Sequence, residues 1–193
     1  NTWIAMGTPD LSHEGKFHTN SYTGKNTANY HTDTPINVDI GTGDFTIEAW
    51  VWSDLEDQNA GIIQVTDVVG GLYNSATQSL ALGGYYSHFD GGNFIDRNMG
   101  TGYWVHKALV RYNGTVRCYI NGKRTYQYQN SNYNYKIKYA VISMYYTTDY
   151  YWNGHIDSIR LANHAIYKDN FTPKKFTDIK YLWLKGKEVY KVR

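Results

Sequence analysis

Tyrosine is the residue type through which this chain could do chemistry. It supplies 20 of the 193 residues, beside 6 Trp and 6 Phe, and three pairs fall in loop-like stretches: Tyr85-Tyr86, Tyr145-Tyr146 and Tyr150-Tyr151. A tyrosine brings a rigid ring that stacks on the apolar face of a pyranose, and a hydroxyl for its polar rim; loops that bind by surface use it heavily. The same residues suit a subunit interface equally well, and in either case they bind something. Trp50, Trp52, Trp104 and Trp152 are stacking candidates of the same kind, but Trp50, Trp104 and Trp152 fall at strand positions, where burial habits favour a structural role. The seven histidines (His13, His18, His31, His88, His106, His155 and His164) show no zinc-type spacing. His106 and His155 read as satisfied strand residues. The single Cys118 forbids an intramolecular disulfide. Inside a strand it is a small buried apolar group, and its solitude points to assembly in a reducing cytoplasm.

The elements that must position these residues are strands. In WVHKALVRYNGTVRCYINGKRTYQY, Trp104 to Tyr128, two Asn-Gly pairs mark two-residue turns, because type I′ turns need positive φ at both central residues. Counting back from Asn113-Gly114, Arg111 faces Val116, Leu109 faces Cys118 and Lys107 faces Ile120, while His106, Ala108, Val110 and Tyr112 share the other face with Thr115, Arg117 and Tyr119. Neither face is cleanly apolar, so the pattern leaves open which one meets the core. Phe45 to Trp52 alternates, with Phe45, Ile47, Ala49 and Val51 on one side and Thr46, Glu48, Trp50 and Trp52 on the other. Further strands are expected at Thr34 to Ile40, Gly61 to Val69, Ser79 to Leu82, Lys136 to Met144 and His155 to Leu161. Gly83 to Gly102 reads as loop, Asn163 to Lys168 as a single turn, and residues 1–33 as an arm or edge strands. The tail, residues 177–193, reads as a short hairpin or connector. Many short strands between turn signals give an all-β, antiparallel two-sheet sandwich.

Composition excludes several classes of function. Nineteen Lys and Arg against 17 Asp and Glu leave a net charge of +2, and the basic residues are scattered, so no nucleic acid is expected. No apolar run approaches membrane-span length and no signal peptide opens the chain, so no membrane insertion is expected. The chain begins at Asn1 without an initiator Met, as a piece of something longer would.

Four stretches in order resemble one family: GDFTIEAWVW (Gly43 to Trp52), YWVHKALVRYNGTVRCYINGKR (Tyr103 to Arg124), WNGHIDSIRL (Trp152 to Leu161) and AIYKDNFTPKKF (Ala165 to Phe176). The chain is similar to the laminin-G-like branch of the concanavalin-A-like lectin/glucanase superfamily, whose fold is a two-sheet jelly roll; the resemblance gives residues 34–176 to that domain. The fourth stretch resembles those of bacteriophage structural proteins, where a Tyr-x-x-Asn-Phe-Thr-Pro segment closes the sandwich. The tail is similar to short hairpin units at the ends of phage tail and fibre proteins. The resemblance implies a non-enzymatic virion-surface module of tail, fibre or capsid, assembled in the host cytoplasm as a homo-oligomer. It would bind a cell-surface glycan, a receptor or neighbouring virion subunits through its Tyr loops. The bland alternative is a purely structural subunit-interface protein, and a third is an accessory carbohydrate-binding module of a secreted bacterial enzyme.

The chain departs from the glucanase branch where catalysis would lie. That branch works with a Glu-x-Asp-x-x-Glu strand, whose paired carboxylates act as nucleophile and acid/base across the scissile bond. Here the matching strand offers only Glu48, followed by Asp54, Glu56 and Asp57 in a loop without that spacing, so no enzyme is expected. No cofactor is required by any motif. The resemblance does allow calcium at a loop rim, with Asp67, Asp90 and Asp149 as the available carboxylates. Asp157 reads as structural, through a hydrogen bond or a pairing with Arg160.

Overall fold

The computed structural model describes residues 3–6, 10–13, 21–24, 29–32, 40–56, 58–67, 79–89, 92–95, 100–129, 133–143 and 151–174. The expected strand over 34–39, the residues Tyr145, Tyr146, Tyr150, Asp90 and Asp149, and the tail 177–193 lie outside these described residues.

Among the described residues there are fourteen strands: β1 (Trp3–Met6), β2 (Asp10–His13), β3 (Ser21–Gly24), β4 (Asn29–Thr32), β5 (Phe45–Ser53), β6 (Gly61–Thr66), β7 (Ser79–Gly83), β8 (Tyr86–Phe89), β9 (Gly92–Ile95), β10 (Trp104–Tyr112), β11 (Thr115–Ile120), β12 (Lys123–Gln129), β13 (Tyr139–Ile142) and β14 (Gly154–Ala162). They build two seven-stranded sheets of antiparallel pairs. Sheet I runs β1-β4-β13-β6-β7-β8-β9 and sheet II runs β12-β11-β10-β5-β14-β3-β2. The fold is thus the all-β two-sheet sandwich that the sequence pattern predicts.

The β10–β11 hairpin takes the register expected from its turn, with Lys107 opposite Ile120, Leu109 opposite Cys118 and Arg111 opposite Val116, whereas the β11–β12 pairing shifts register between Cys118 and Tyr119. Asn113, Gly114, Asn121 and Gly122 all adopt positive φ. The structure also settles which face meets the core. Phe45, Ile47, Ala49 and Val51 of β5, with Leu109, Val116, Cys118 and Ile120 of the meander, pack against Ile62, Val65, Leu80 and Leu82 of sheet I. Each large apolar side chain so buried contributes about 1.5–3 kcal/mol. Lys107 and Arg111 share that inward face and are fully buried.

The outer face of sheet II is also largely covered. Residues 163–173 run back across it and pack Ala165, Tyr167 and Phe171 on Ala108, Val110 and Tyr119. The segment lands on the second Asn-Gly turn, where the Phe171 N–H donates to the Gly122 carbonyl at 2.9 Å. A Cβ on Gly122, which sits at φ 76°, would run into the Phe171 carbonyl, so glycine is required there both for the turn and for the close approach.

Three expectations change. The stretch 83–102 holds β8 and β9, because Tyr86–Phe89 pairs with Gly92–Ile95 at the edge of sheet I. The Lys136–Met144 strand shrinks to Tyr139–Ile142, with Tyr135 instead bridging Gly41. The stretch 163–168 forms no helical turn and lies as irregular chain on sheet II. Arg160, expected near Asp157, turns elsewhere. Between Asp157 and Arg160, β14 carries one more residue than β5 opposite, with Ser158 at φ 54°. This bulge resets the alternation, sends Ile159 toward the core and aims Arg160 at Glu48. Asp157 keeps the structural hydrogen bond, accepting from the Ser158 hydroxyl at 3.1 Å.

Candidate functional site

One end of the sandwich gathers the C-termini of β5 and β7 and the N-termini of β6, β8, β10 and β14. Gln58 ties these ends together. Its side-chain amide donates to Ser53 Oγ and to the Asn153 carbonyl at 2.8 Å, and its Oε1 accepts from the Asn153 N–H at 2.7 Å. Its backbone carbonyl accepts from Ala60 and from Tyr85 at 2.9 Å. One buried amide thereby fixes the loop after β5, the start of β14 and the turn that carries Tyr85.

Lys107 fixes the same turn from inside. Its Nζ donates to the Gly83 and Gly84 carbonyls at 2.6 and 2.7 Å. A buried ammonium is tolerable only where such acceptors replace water. Gly84 is packed from the other side: a Cβ there would lie 2.5 Å from the Gln58 carbonyl and 2.9 Å from the fully buried Trp152 ring. The backbone leading into Tyr85 and Tyr86 is therefore held on three sides.

On that support stand the aromatics. Tyr85 and Tyr86 meet edge to face, with ring centroids 4.4 Å apart, and both are half-buried. Tyr85 lies in the turn, as expected for a loop aromatic, whereas Tyr86 opens β8. Tyr151 is half-buried beside Trp152 at the same end. Asp67 follows the far end of β6, away from the tyrosines, and among the described residues no group of three His, Cys, Asp or Glu side chains is arranged to hold a metal. Of the tryptophans, Trp152 and Trp50 are buried, but Trp104, read from its strand position as structural, is half-buried like Trp52. With His155 these two make a triangle of rings with centroids 6.1 to 6.3 Å apart. Tyr103, next to Trp104, is exposed.

Sequence alone points to neither Lys107 nor Gln58. Lys107 was placed by register opposite Ile120, and what hid its role was the undecided face of the meander. Gln58 stands in an acidic loop with nothing in its neighbours to mark it.

Glu48 occupies different surroundings. It is fully buried on the outer face of sheet II, where one oxygen takes the Arg160 guanidinium and the other lies 2.9 Å from His106 Nε2. Tyr167 closes over the pair, its hydroxyl 3.1 Å from Arg160 Nη2 and its ring stacked on Phe171 at 3.5 Å. Burial, and then the negative Glu48, push the Tyr167 hydroxyl well above the usual tyrosine range. This is an internal ion-paired cluster under a lid of chain.

Comparison with known proteins gives a consistent picture of the fold. Residues 24–170 match the concanavalin A-like lectin/glucanases superfamily. No curated protein matches the sequence. Domain 4 of AbnA, an extracellular GH43 arabinanase from Geobacillus stearothermophilus solved with arabinotriose, superposes with a TM-score of 0.60 at 16% identity, over 86% of this chain and 84% of that one. The binding domain of botulinum neurotoxin DC, solved with SialylT, gives 0.56 at 12% identity over 86% and 44%. Trypanosoma rangeli sialidase, solved with the inhibitor DANA, gives 0.56 at 12% identity over 79% and 26%. At these identities the likeness is one of fold.

Proposed function

This chain belongs to the concanavalin A-like lectin/glucanase superfamily, and from that premise we propose that it is a non-catalytic carbohydrate-binding domain whose site is the aromatic end of the sandwich. The observation that carries the reading is the Tyr85–Tyr86 pair, half-buried on a turn that Lys107, Gln58 and Trp152 hold rigid. A preformed aromatic platform loses little entropy on binding, and its hydroxyls fix the sugar's orientation. The arabinotriose held by domain 4 of AbnA supports a sugar as the ligand class for this sandwich. Absence of catalysis is supported by Glu48, which is buried, engaged by Arg160 and His106, and beyond the reach of a glycosidic bond.

The narrower form of the proposal is a bacteriophage virion-surface attachment module. Its support is the Tyr167-to-Pro173 segment, which closes the outer face of sheet II as the phage resemblance implies. Weak single-site affinity would then be multiplied by copy number. A second reading, assembly with neighbouring subunits, is favoured by β12. Every residue of this sheet edge is exposed, Tyr126 and Tyr128 included.

A glycan array probed with the chain displayed as a multivalent preparation tests the main reading. We expect binding to a restricted set of glycans, lost in the Tyr85→Ala/Tyr86→Ala double variant, and no new reducing ends when those glycans are incubated with the chain. An array with no hits sinks carbohydrate binding and leaves subunit assembly, which sedimentation of the free chain would register.

A further inference from the structure

The outer face of sheet II is divided along its length into a sealed part and an open part. Across β10, β5 and β14 its side chains form successive rows: Val110–Thr46–Ala162, Ala108–Glu48–Arg160, His106–Trp50–Asp157 and Trp104–Trp52–His155. Along β5 the first two members, Thr46 and Glu48, are fully buried and Trp50 nearly so, whereas Trp52 is only partly buried. The covering segment explains the gradient. Its last aromatic, Phe171, packs at 5.6 Å from His106, and the row beyond is left outside the cover.

What that row presents is three rings on three adjacent strands, paired in register and drawn into a compact triangle. The ring planes meet at 73°, 66° and 40°, so the three rings are tilted against one another and not stacked in parallel. Gly154 next to it, at φ 135°, carries no side chain and lies against the Trp52 carbonyl. The row has two indole rings and one imidazole, hence apolar faces with a polar rim and no fixed charge. Three half-buried rings offer far less than the ~800 Å² that a stable protein interface takes from each partner. Their extent across three strands, about 10 Å, suits one or two sugar rings.

We propose that Trp52, Trp104 and His155 form a second carbohydrate subsite, a stacking platform for a neutral pyranose or furanose on the outer face of sheet II, separate from the Tyr85–Tyr86 pair. This proposal rests on the carbohydrate-binding reading above. Trp52 and Trp104 supply the stacking surface, and the His155 ring borders it.

The test uses the full chain labelled with 5-fluorotryptophan, whose six tryptophans give separate fluorine resonances, assigned with Trp52→Phe and Trp104→Phe. Arabinohexaose, xylohexaose and mannohexaose are titrated in, with heat of binding recorded in parallel. We expect a binding hexaose to move the Trp52 and Trp104 lines and leave that of buried Trp152 in place. Trp52→Ala should weaken binding about tenfold, with Trp52→Phe recovering most of it. Because the line shifts are read on the unmodified fold, a variant that fails to fold does not spoil the test. Binding heat that vanishes in Tyr85→Ala/Tyr86→Ala while the Trp52 and Trp104 lines never move overturns the subsite and keeps the main reading. No heat from any of the three hexaoses overturns both.

Discussion

Lys107 and Arg111 lie four residues apart on one strand, both turned into the core, yet they close the two ends of the sandwich in opposite ways. Arg111 spends its whole fork on backbone: Nε on the Gly43 carbonyl at 2.6 Å, Nη1 on Tyr133 at 2.9 Å and Nη2 on Gly41 at 2.8 Å. Its guanidinium also lies 5.3 and 5.0 Å from the centres of the Phe45 and Tyr135 rings. Burial pulls its pKa down, against the attraction of Tyr135 and Asp44. The aromatics at that end are consumed by the cation. Lys107, a point donor on a flexible stem, holds the Gly83 and Gly84 carbonyls, and so anchors the backbone that leads into Tyr85 and Tyr86. Arg111 therefore seals one end, and Lys107 anchors the turn that carries Tyr85 and Tyr86 at the other.

The comparison breaks most sharply at Arg111. Arg111→Met takes the guanidinium away from three carbonyls, of which Gly41 still accepts from the Tyr135 N–H, and removes a cation lying close to two rings. The cost should be about 3–5 kcal/mol, seen by calorimetry as a fall in Tm of roughly 10 °C. Arg111→Lys should recover little of it, since no ammonium reproduces a three-pronged fork. Sugar binding measured well below Tm should stay at the wild-type level. If it fell in step with stability, the two ends would not be separate in function.

Lys107→Met is the next largest perturbation and should act on both properties. The stem still fills its channel, but two carbonyls lose their donor, for about 2–3 kcal/mol and a Tm lowered by roughly 6 °C. Here binding should drop as well, because the turn carrying Tyr85 and Tyr86 loses its internal anchor. Isothermal titration of Lys107→Met against Arg111→Met separates the cases. A Lys107 variant that is destabilised yet binds like wild type would reduce Lys107 to plain core packing.

How much of this could be read from the chain follows from where the forces act. The β10–β11 register is legible to the residue because the Asn-Gly turn fixes it locally, while the β11–β12 shift between Cys118 and Tyr119 has no such signal. The meander's inward face is not legible, because Lys107 and Arg111 break the apolar alternation and their acceptors, the carbonyls of residues 41, 43, 83, 84 and 133, are remote in sequence. The bulge at Ser158 had a signal, the three-residue step from Ile156 to Ile159, but Arg160 pairing with Glu48 becomes visible only once β14 lies beside β5. β8 and β9 were hidden in a Gly- and Tyr-rich stretch because sheet pairing made them strands. The strand position of Trp104 favours a structural role, but it does not show that the side chain ends only half-buried. The sealing of one part of the outer face, and not the other, depends on how far residues 163–173 reach.

The smallest expected effect comes from a place that belongs to neither end, and it calibrates the other two. Tyr119 and Tyr167 lie under and within the cover of sheet II, and burial raises both hydroxyls above the ordinary tyrosine value. In the unfolded chain they ionise near pH 10. Below that pH both states hold the protons and the contribution to stability is intact. Above it, up to the raised folded values, the unfolded chain holds fewer protons than the folded one, so stability falls as pH rises. A thermal-melt series from pH 8 to pH 11 should therefore be flat to about pH 10 and then decline. Tyr167→Phe, which has no proton to lose, should make the decline shallower. At pH 10.5, below Tm, sugar binding should be kept, as in Arg111→Met and unlike Lys107→Met, because nothing in this cover touches Gly83, Gly84 or Gln58. Loss of binding in parallel with the alkaline decline would mean that the cover of sheet II and the aromatic end form one cooperative unit, and that the display end owes its order to more than Lys107.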